Sequence, residues 1–337
     1  MSASIKPGTG SAYARVLGFG GYRPARVVTN EEICQNIDSS DEWIQARSGI
    51  VTRRWANDEE TVQAMSVAAA GKALANSGVR ADQIGAVIVS TVSHLYQTPA
   101  IATSIAEELG AKGAAAFDIS AACAGFCYGV GLADGMVRTG SAEHVIVIGV
   151  ERLSDLTDDH DRSTAFLFAD GAGAAVVGPS DEPRIGPVIW GSDGTQAGLI
   201  SQEESWHQAF HGYGDGGAEW PHLRMEGNPV FRWAVWEMAR VAEHALTAAG
   251  VSAAELDAFI PHQANMRITD AMVKALKLPE SVRIARDIAQ QGNTSAASIP
   301  LAIERMLETG EVKSGETALI IGFGAGLAYA AQVIKLP

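Results

Sequence analysis

Three residues of the chain place a reactive or hydrogen-bonding side chain at the junction between an apolar strand and a helix. Cys123 follows the run FDISAA, His262 follows the apolar segment AFIP, and Asn293 lies within QQGNTSAAS. A cysteine, a histidine and an asparagine are the residue types of an activated nucleophile with its partners, and such a set suits acyl transfer. The sequence therefore predicts that these three residues form one site, with Cys123 as the nucleophile.

The surroundings of Cys123 predict a central helix. Small and apolar residues continue after it for roughly four helical turns. Gly125, Gly129, Gly131 and Gly135 would each weaken an exposed helix by up to about 1 kcal/mol, so they fit best where other backbones press close. A thiol at the N-terminus of such a helix meets unpaired N–H groups and the positive end of the dipole. Both features favour the thiolate.

Each of the three residues also has a simpler interpretation. Cys123 alone is typical of a small buried hydrophobe, His262 of a structural hydrogen-bonding residue, and Asn293 of a helix N-cap. The catalytic interpretation is favoured because the same pattern of strands and helices occurs twice along the chain and is expected to bring the three residues together.

The sequence shows an internal repeat at a shift of 172 residues. AlaLeu at 73 and 74, GlyVal at 78 and 79, Ile84 and Ile88 fall on AlaLeu at 245 and 246, GlyVal at 250 and 251, Leu256 and Ile260. DIS from Asp118 and DIA from Asp287 each precede a helix, then an apolar strand and a glycine-rich turn. This register predicts two duplicated halves, 1–185 and 186–337, with a long insertion over 190–229.

Such a duplication has a geometric consequence for the site. Two related α/β halves place the carboxyl ends of equivalent strands beside one another, where the sites of open α/β sheets form. In the first half that position holds Cys123. In the second half it holds His262 and Asn293, so the three side chains are expected to meet.

Composition excludes several other classes of protein. The 337 residues carry a formal net charge of -14, which argues against general binding of nucleic acid or anionic membranes. A run of about 18 apolar residues, as a membrane helix needs, is absent from the sequence, and residues 1–16 lack a signal-type apolar core. Three unevenly placed cysteines do not form a disulfide framework. We expect a cytoplasmic protein with reduced thiols.

Four motifs, in order along the chain, resemble a known family. AACAGF around Cys123, PHQAN from Pro261, GNTSAAS from Gly292 and GFGAG from Gly322 are similar to motifs of the thiolase superfamily. They resemble most closely the actinobacterial-like β-ketoacyl-acyl-carrier-protein synthase III enzymes, over about 16–336. The resemblance implies an α/β thiolase-like fold, with two duplicated βαβαβαββ halves in a five-layered αβαβα arrangement.

The resemblance also implies a reaction. The family joins an acyl-CoA primer to malonyl-acyl-carrier protein by decarboxylative Claisen condensation and so starts type II fatty-acid synthesis. Cys123 would carry the acyl group, and His262 and Asn293 would bind the enolate oxygen. The alternative is a starter-unit ketosynthase or acyltransferase of a polyketide pathway, which the sequence does not separate from the first.

Further site residues are carried over from the family by motif. The resemblance assigns Gly324, Ala325 and Phe323 to the oxyanion and gating positions; Trp43, Arg47, Arg162, Phe231 and Asn265 to CoA binding; and Arg232, Arg267 and Lys274 to docking of the acidic carrier protein. It implies no cofactor besides the substrates acyl-CoA and malonyl-acyl-carrier protein. Without it, Trp43 is interpreted as a core residue, and Arg47 and the three docking residues as solvated surface.

The family forms homodimers, and the residue before Pro99 caps the acyl pocket of the partner. Here that residue is Thr98, in the segment LYQT. A bulky aromatic at this position resembles acetyl-restricted members, so the smaller Thr98 predicts room for longer primers. The other interpretation is that a different side chain fills the space.

Other motifs in the sequence do not indicate a cofactor or metal site. GFGAG is not GxGxxG and implies no NAD. His207 and His211 are spaced i, i+4 but lack the HExxH glutamate, so we expect a mobile loop and no metal. A cysteine hydrolase or an inactive acyl-CoA-binding scaffold would be the alternatives in other functional classes. The repeat and the complete set of three residues argue against both.

Overall fold

The computed structural model describes residues 5–213 and 220–337. The strands are β1 (Tyr13–Tyr22), β2 (Arg26–Thr29), β3 (Thr52–Trp55), β4 (Ile84–Ser90), β5 (Ala115–Ile119), β6 (His144–Arg152), β7 (Asp170–Ser180), β8 (Ile189–Ser192), β9 (Ile200–Gln202), β10 (Leu223–Met225), β11 (Ala258–Pro261), β12 (Arg283–Ile284), β13 (Thr317–Gly324) and β14 (Ala328–Lys335). The helices are α1 (Asn30–Ile33), α2 (Asp41–Ser48), α3 (Val62–Ser77), α4 (Ile101–Leu109), α5 (Gly125–Thr139), α6 (Trp206–Tyr213), α7 (Gly227–Ala249), α8 (Met266–Ala275), α9 (Ile288–Gln291) and α10 (Ser298–Glu308).

Local signals set the ends of the helices. Thr29 caps α1, and Ser40 caps α2 by accepting a hydrogen bond from the backbone N–H of Trp43 at 3.2 Å. Helix α3 ends at Gly78, whose φ of 71° is left-handed and favours glycine. Each of these signals lies within a few residues of the helix that it begins or ends.

The two five-stranded sheets repeat one topology. The first has the order β1, β7, β6, β4, β5, and the second, taken from its β8 edge, has the order β8, β14, β13, β11, β12. Strand β4 of the first sheet and strand β11 of the second are each parallel to both of their neighbours. The next pair in each sheet, β6 with β7 and β13 with β14, is antiparallel. The chain order in both halves is βαβαβαββ, so the predicted duplication is confirmed. The predicted boundary at 185/186 falls in the connection between β7 and β8.

The sheets and helices stack in five layers. Helices α3 and α4 cover the outer face of the first sheet, and α7 and α8 lie on the outer side of the second. Helices α5 and α10 lie between the sheets, where both contact strands of both halves. The core between the sheets contains Phe126, Val130 and Ile303, all buried. The prediction that the helix after Cys123 is central is therefore confirmed.

Two predictions about the second half are wrong. Trp190 was predicted to begin an insertion, but it lies in β8 and pairs with Ala330 of β14, because an edge strand completes the second sheet there. Residues 193–226 lie between β8 and α7, the place that residues 23–61 take between β1 and α3 in the first half. His207 and His211 were predicted to lie in a loop, but both lie in α6, where their rings contact each other edge to face at 4.3 Å. In the described part of the chain, the helices are all too short or too polar to cross a membrane.

Candidate active site

Cys123 lies in a short 3-10 helix, Ala122–Ala124, between β5 and α5. The end of β13 packs directly on this turn. A Cβ added to Gly322 would lie 2.7 Å from the Cys123 carbonyl oxygen, and one added to Gly324 would lie 2.7 Å from Cys123 Sγ. Both distances are well below van der Waals contact, so glycine is required at these positions. The thiol is thereby held against the backbone of Gly324.

The surroundings of the Cys123 thiol keep it protonated in the free protein. Burial raises its pKa to about 12, the nearby Ser295 hydroxyl opposes that rise, and the charge of Glu151 adds to it. From the sequence we predicted a lowered pKa for this thiol, because the helix N-terminus favours the thiolate. That prediction did not include the desolvation of the thiolate, which acts in the opposite direction. Attack by Cys123 therefore requires that its proton be removed during the reaction.

His262 follows β11 and is buried, with 2% of its surface exposed. Burial lowers its pKa to about 3, so the imidazole is neutral near pH 7. Its Nδ1 lies 2.7 Å from Ser298 Oγ, and Ser298 Oγ accepts a hydrogen bond from the backbone N–H of Gln263. We assign the Ser298 hydroxyl as the donor to Nδ1, which leaves the proton of the ring on Nε2.

Asn293 is fixed through both its backbone and its side chain. Its N–H donates to the Leu167 carbonyl and its C=O accepts from the Ala169 N–H, each at 2.9 Å, so the segment is tied to the first half. Its side-chain Oδ1 accepts from the Ser295 N–H at 2.9 Å. Because Oδ1 is used in this bond, the Nδ2 donors are directed away from Ser295.

The three residues line one cavity of about 390 Å³. Most of the residues that the sequence singled out also lie on its wall: Cys123, His262, Asn293, Phe323, Gly324, Trp43, Arg47, Arg162, Phe231, Asn265 and Arg267. The Phe323 ring meets His262 edge to face at a centroid distance of 5.5 Å and is 3% exposed. The cavity therefore holds a thiol, two neutral N–H donors and an aromatic ring that limits access of water. This combination is suited to stabilising a developing oxyanion.

Comparison with known proteins agrees with this geometry. Residues 117–194 match the family model of 3-oxoacyl-[acyl-carrier-protein (ACP)] synthase III, and residues 246–336 match the model of its C-terminal part. The β-ketoacyl-[acyl-carrier-protein] synthase III of Streptomyces glaucescens is 67% identical over 336 residues, which cover 99% of this chain and 100% of the relative. The chain belongs to the β-ketoacyl-acyl-carrier-protein synthase III family. The predictions of family, thiolase-like fold and condensing acyltransferase class are thereby confirmed.

Two solved structures superpose along nearly the full chain. The priming β-ketosynthase of the R1128 polyketide pathway has a TM-score of 0.96 at 48% identity, with 100% of this chain and 99% of that one covered. The synthase III of Aquifex aeolicus has a TM-score of 0.87 at 37% identity, with 96% and 99% covered. Both routes proposed from the sequence, fatty-acid initiation and polyketide priming, are thus represented among similar proteins.

The mouth of the cavity in this synthase III family member is aromatic and basic. The Arg162 guanidinium lies 4.6 Å from the Trp43 ring centroid, and the Arg47 guanidinium lies 5.5 Å from it. Trp43 is half-buried and packs edge to face on Phe166 at 5.5 Å, while both arginines are exposed. Trp43 packs against a core cluster and also borders the cavity, so the core interpretation describes only part of its surroundings.

The opposite side of the mouth is formed by α7 and α8. The Arg267 guanidinium lies 4.9 Å from the Phe231 ring centroid. Asn265 caps α8 through a 2.9 Å bond from the Arg267 N–H, and its Nδ2 donates to the Arg47 carbonyl at 2.9 Å. Asn265 therefore ties the two sides of the mouth together.

Four of the carried-over residues do not line the cavity. Ala325 begins the turn after Gly324 and is half-buried. Arg232 on α7 and Lys274 on α8 are exposed. Thr98 is exposed in the segment before Pro99. Their functions stay predictions.

Sequence reasoning missed three residues that contact the predicted site. Ser298 and Ser295 lie in the quoted motif GNTSAAS, and they hold His262 and Asn293 in place. Glu151 lies at the end of the apolar strand β6, is 0% exposed and bonds to Ser295. A carboxylate within the run HVIVIGVER was the available signal, because such a group is rarely buried without a partner.

One surface group offers ligands for a cation. Asp158, Asp159 and His160 place ligand atoms within 4.8 Å of one another. His160 Nδ1 is already within 2.7 Å of Asp159, and Asp158 accepts a hydrogen bond from Arg224 at 2.9 Å. These pairings use the ligand atoms. Within residues 5–213 and 220–337, His207 and His211 do not join a third ligand.

Replacing Gly324 with alanine is expected to slow acylation of Cys123 roughly 10²-fold, because the new Cβ displaces the thiol from which it would lie 2.7 Å. Overpacking should also destabilise the fold by about 1–3 kcal/mol. Gly71→Ala is the matched control, since a Cβ at this exposed position in α3 meets no atom within 4 Å. Acylation rate and thermal unfolding would be measured for both variants. Normal acylation in Gly324→Ala would contradict the close packing.

Proposed function

We propose that this protein catalyses the decarboxylative Claisen condensation of an acyl-CoA primer with malonyl-acyl-carrier protein. The products are 3-oxoacyl-acyl-carrier protein, CoA and CO2, and the reaction starts type II fatty-acid synthesis. The observation that carries the proposal is the convergence of Cys123, His262 and Asn293 on one cavity with an aromatic and basic mouth. The protein acts without a cofactor other than its substrates.

In the first step, Cys123 Sγ attacks the thioester carbon of the acyl-CoA. The C–S bond to CoA breaks, and the acyl group stays on the enzyme. The backbone N–H of Cys123 and an N–H of the turn formed by Gly324 and Ala325 bind the tetrahedral oxyanion. The close packing of Gly324 on Sγ supports this placement.

In the second step, the malonyl thioester loses CO2 and becomes an enolate. His262 Nε2–H and Asn293 Nδ2–H donate to its oxygen, which is why a neutral imidazole and a fixed amide are suited to the site. Phe323 excludes water beside His262 and favours the departure of the carboxylate. The enolate carbon then attacks the acyl-cysteine, and the Cys123 thiol is restored.

The mouth of the cavity recognises the two carriers. Trp43 and Arg162 stack on the adenine of CoA, and Arg47 pairs with its phosphate. Phe231 and Asn265 line the path of the pantetheine arm.

An acidic carrier protein docks on the exposed cations beside the cavity, despite the net charge of -14. Those cations are Arg232, Arg267 and Lys274. We further propose that the enzyme is a cytoplasmic homodimer.

The proposal is tested by incubating the protein with acyl-CoA and malonyl-acyl-carrier protein and measuring the mass of the carrier-protein product by mass spectrometry. Formation of 3-oxoacyl-carrier protein together with CO2 release is expected. Omission of acyl-CoA is the control and should leave the product absent. If thioester hydrolysis outruns condensation, the protein is a hydrolase and the proposal fails.

Polyketide priming is the second candidate, favoured by the TM-score of 0.96 to the R1128 priming β-ketosynthase. The 67% identity to the Streptomyces glaucescens synthase III favours fatty-acid initiation. The two are separated by kcat/KM with malonyl-loaded carrier proteins of each pathway. A clear preference for the polyketide carrier protein would reverse our order.

The exposed Thr98 leads us to expect that primers of four to five carbons, linear or branched, outperform acetyl-CoA. Each additional buried methylene contributes roughly 0.8 kcal/mol, which is a several-fold preference in kcat/KM. Thr98→Phe should shift the preference toward acetyl-CoA, because the larger ring fills the partner's pocket. Thr98→Ser, which keeps the pocket open, is the control. A clear acetyl preference in the unmodified protein would refute this expectation.

A further inference from the structure

Glu151 is a buried carboxylate next to the proposed nucleophile and outside the reaction described above. It lies in β6 with none of its surface exposed. Its Oε2 accepts hydrogen bonds from Ser93 Oγ at 2.7 Å, from the Val92 N–H at 3.1 Å and from Thr91 Oγ1 at 3.3 Å. These bonds hold the carboxylate in place through one oxygen.

The other carboxylate oxygen faces the active site. Ser295 Oγ donates to Glu151 Oε1 at 3.1 Å, the one hydrogen bond that the described residues give this oxygen. Ser295 begins the short turn Ser295–Ala297, which packs against the turn Ala122–Ala124 that holds Cys123, and its hydroxyl influences the pKa of the Cys123 thiol. Since an ionised carboxylate only accepts, the Ser295 proton points to Glu151 and leaves an oxygen lone pair for the thiol proton.

We propose that Glu151 is a positioning residue that accepts, through the Ser295 hydroxyl, the proton lost by Cys123 during acyl transfer. This inference rests on the proposed role of Cys123 as nucleophile. Glu151 would be the base that the neutral Cys123 thiol needs. His262 does not provide that base while its Nε2 carries a proton.

The S–H bond of Cys123 breaks, its proton moves to Ser295 Oγ, and the Ser295 proton moves to Glu151 Oε1. The electron pair left on Sγ forms the bond to the acyl carbon, and the CoA thiolate departs and takes a proton from solvent. When Cys123 is expelled in the condensation step, Glu151 returns its proton along the same path.

The charges around Glu151 suit this exchange. Burial raises its pKa to about 7, so the acid form and the base form are both accessible near neutral pH. The groups that face it are the uncharged Thr91, Val92 and Ser93 after β4, Ser295 before α10, Gly171 opposite it in β7, and the thiol of Cys123. Arg152, the next residue, turns away to Asp155 at 3.1 Å.

The test is the pH dependence of Cys123 alkylation by iodoacetamide, read from the mass of the Cys123 peptide. Glu151 must be ionised to accept a proton, so the rate in the unmodified protein should rise from pH 6, with a midpoint near 7, and level off by about pH 8. In Glu151→Gln and in Ser295→Ala the step near pH 7 should vanish. The rate at pH 8 should fall at least tenfold, since general-base assistance contributes typically 10²–10⁴-fold.

Two controls use other residues of the same chain. The half-buried Cys34, alkylated in the same samples, should keep its profile in every variant. Asp170→Asn removes another buried carboxylate, whose side chain bonds to Ala56 and Ser154, and should leave the Cys123 profile unchanged.

Two outcomes overturn the inference. If Glu151→Gln alkylates as fast as the unmodified protein or faster at pH 8, the carboxylate only suppresses the thiolate by its charge. If Ser295→Ala, which keeps Glu151, retains the step near pH 7, the hydroxyl is not in the path. Alkylation does not need acyl-CoA, so a failure here is separate from a failure of the proposed condensation, which would show as absent acylation with an intact alkylation profile.

Discussion

Cys123→Ala is expected to yield no acyl adduct with acyl-CoA and no condensation product above background. The reason is chemical: the acyl group is held by Sγ, and alanine has no atom that can form the thioester. Intact mass after incubation with acyl-CoA measures the adduct directly.

Cys34→Ala is the matched control for this variant. Cys34 is half-buried like Cys123 but does not line the cavity, so its variant should acylate normally. An adduct that survives Cys123→Ala would place the nucleophile elsewhere. Both variants should keep the fold, since each loses only one sulfur atom.

His262→Ala and Asn293→Ala should each lower the rate of malonyl decarboxylation by about 10² to 10³, and acyl transfer by much less. Losing one preorganised donor to a developing oxyanion typically costs this factor. A difference between the steps is expected because, in the proposed mechanism, these donors bind the enolate oxygen of the second step and take no part in the attack by the Cys123 thiol. CO2 release from malonyl-carrier protein and the mass of the acyl-enzyme separate the steps.

Two further variants sharpen this prediction. Asn293→Asp keeps the side-chain shape but replaces the donor with a carboxylate oxygen, so it should be at least as damaging as Asn293→Ala. His244→Ala removes an exposed histidine on α7 and should leave both steps unchanged. A His262 variant that decarboxylates normally but forms no acyl-enzyme would contradict the assignment.

The low pKa of His262 has consequences for pH. The folded protein keeps the ring neutral down to about pH 3, whereas an unfolded chain protonates it near 6.5. Between these values the unfolded state binds more protons, so the contribution of His262 to stability falls as pH drops below 6.5. Above 6.5 the ring is neutral in both states, and its contribution is constant.

Most of the architecture follows from signals that lie within short segments of the sequence or in its internal repeat. The caps at Thr29 and Ser40 and the glycine at 78 set helix ends through local hydrogen bonds and backbone angles, which a short segment contains. The repeat at a shift of 172 residues predicted two equivalent halves, and the motifs around Cys123, His262 and Asn293 predicted that these residues meet. Each of these features depends on residues that are near in sequence or related by duplication.

The electrostatics and the supporting contacts of the site depend on tertiary packing. Burial raises the pKa of Cys123 and lowers that of His262, against the direction that the helix terminus alone suggested for the thiol. The contact between Glu151 and Ser295 joins residues 144 positions apart in the chain. Desolvation and long-range hydrogen bonds depend on which distant segments pack together, and a local pattern of residues does not contain that information.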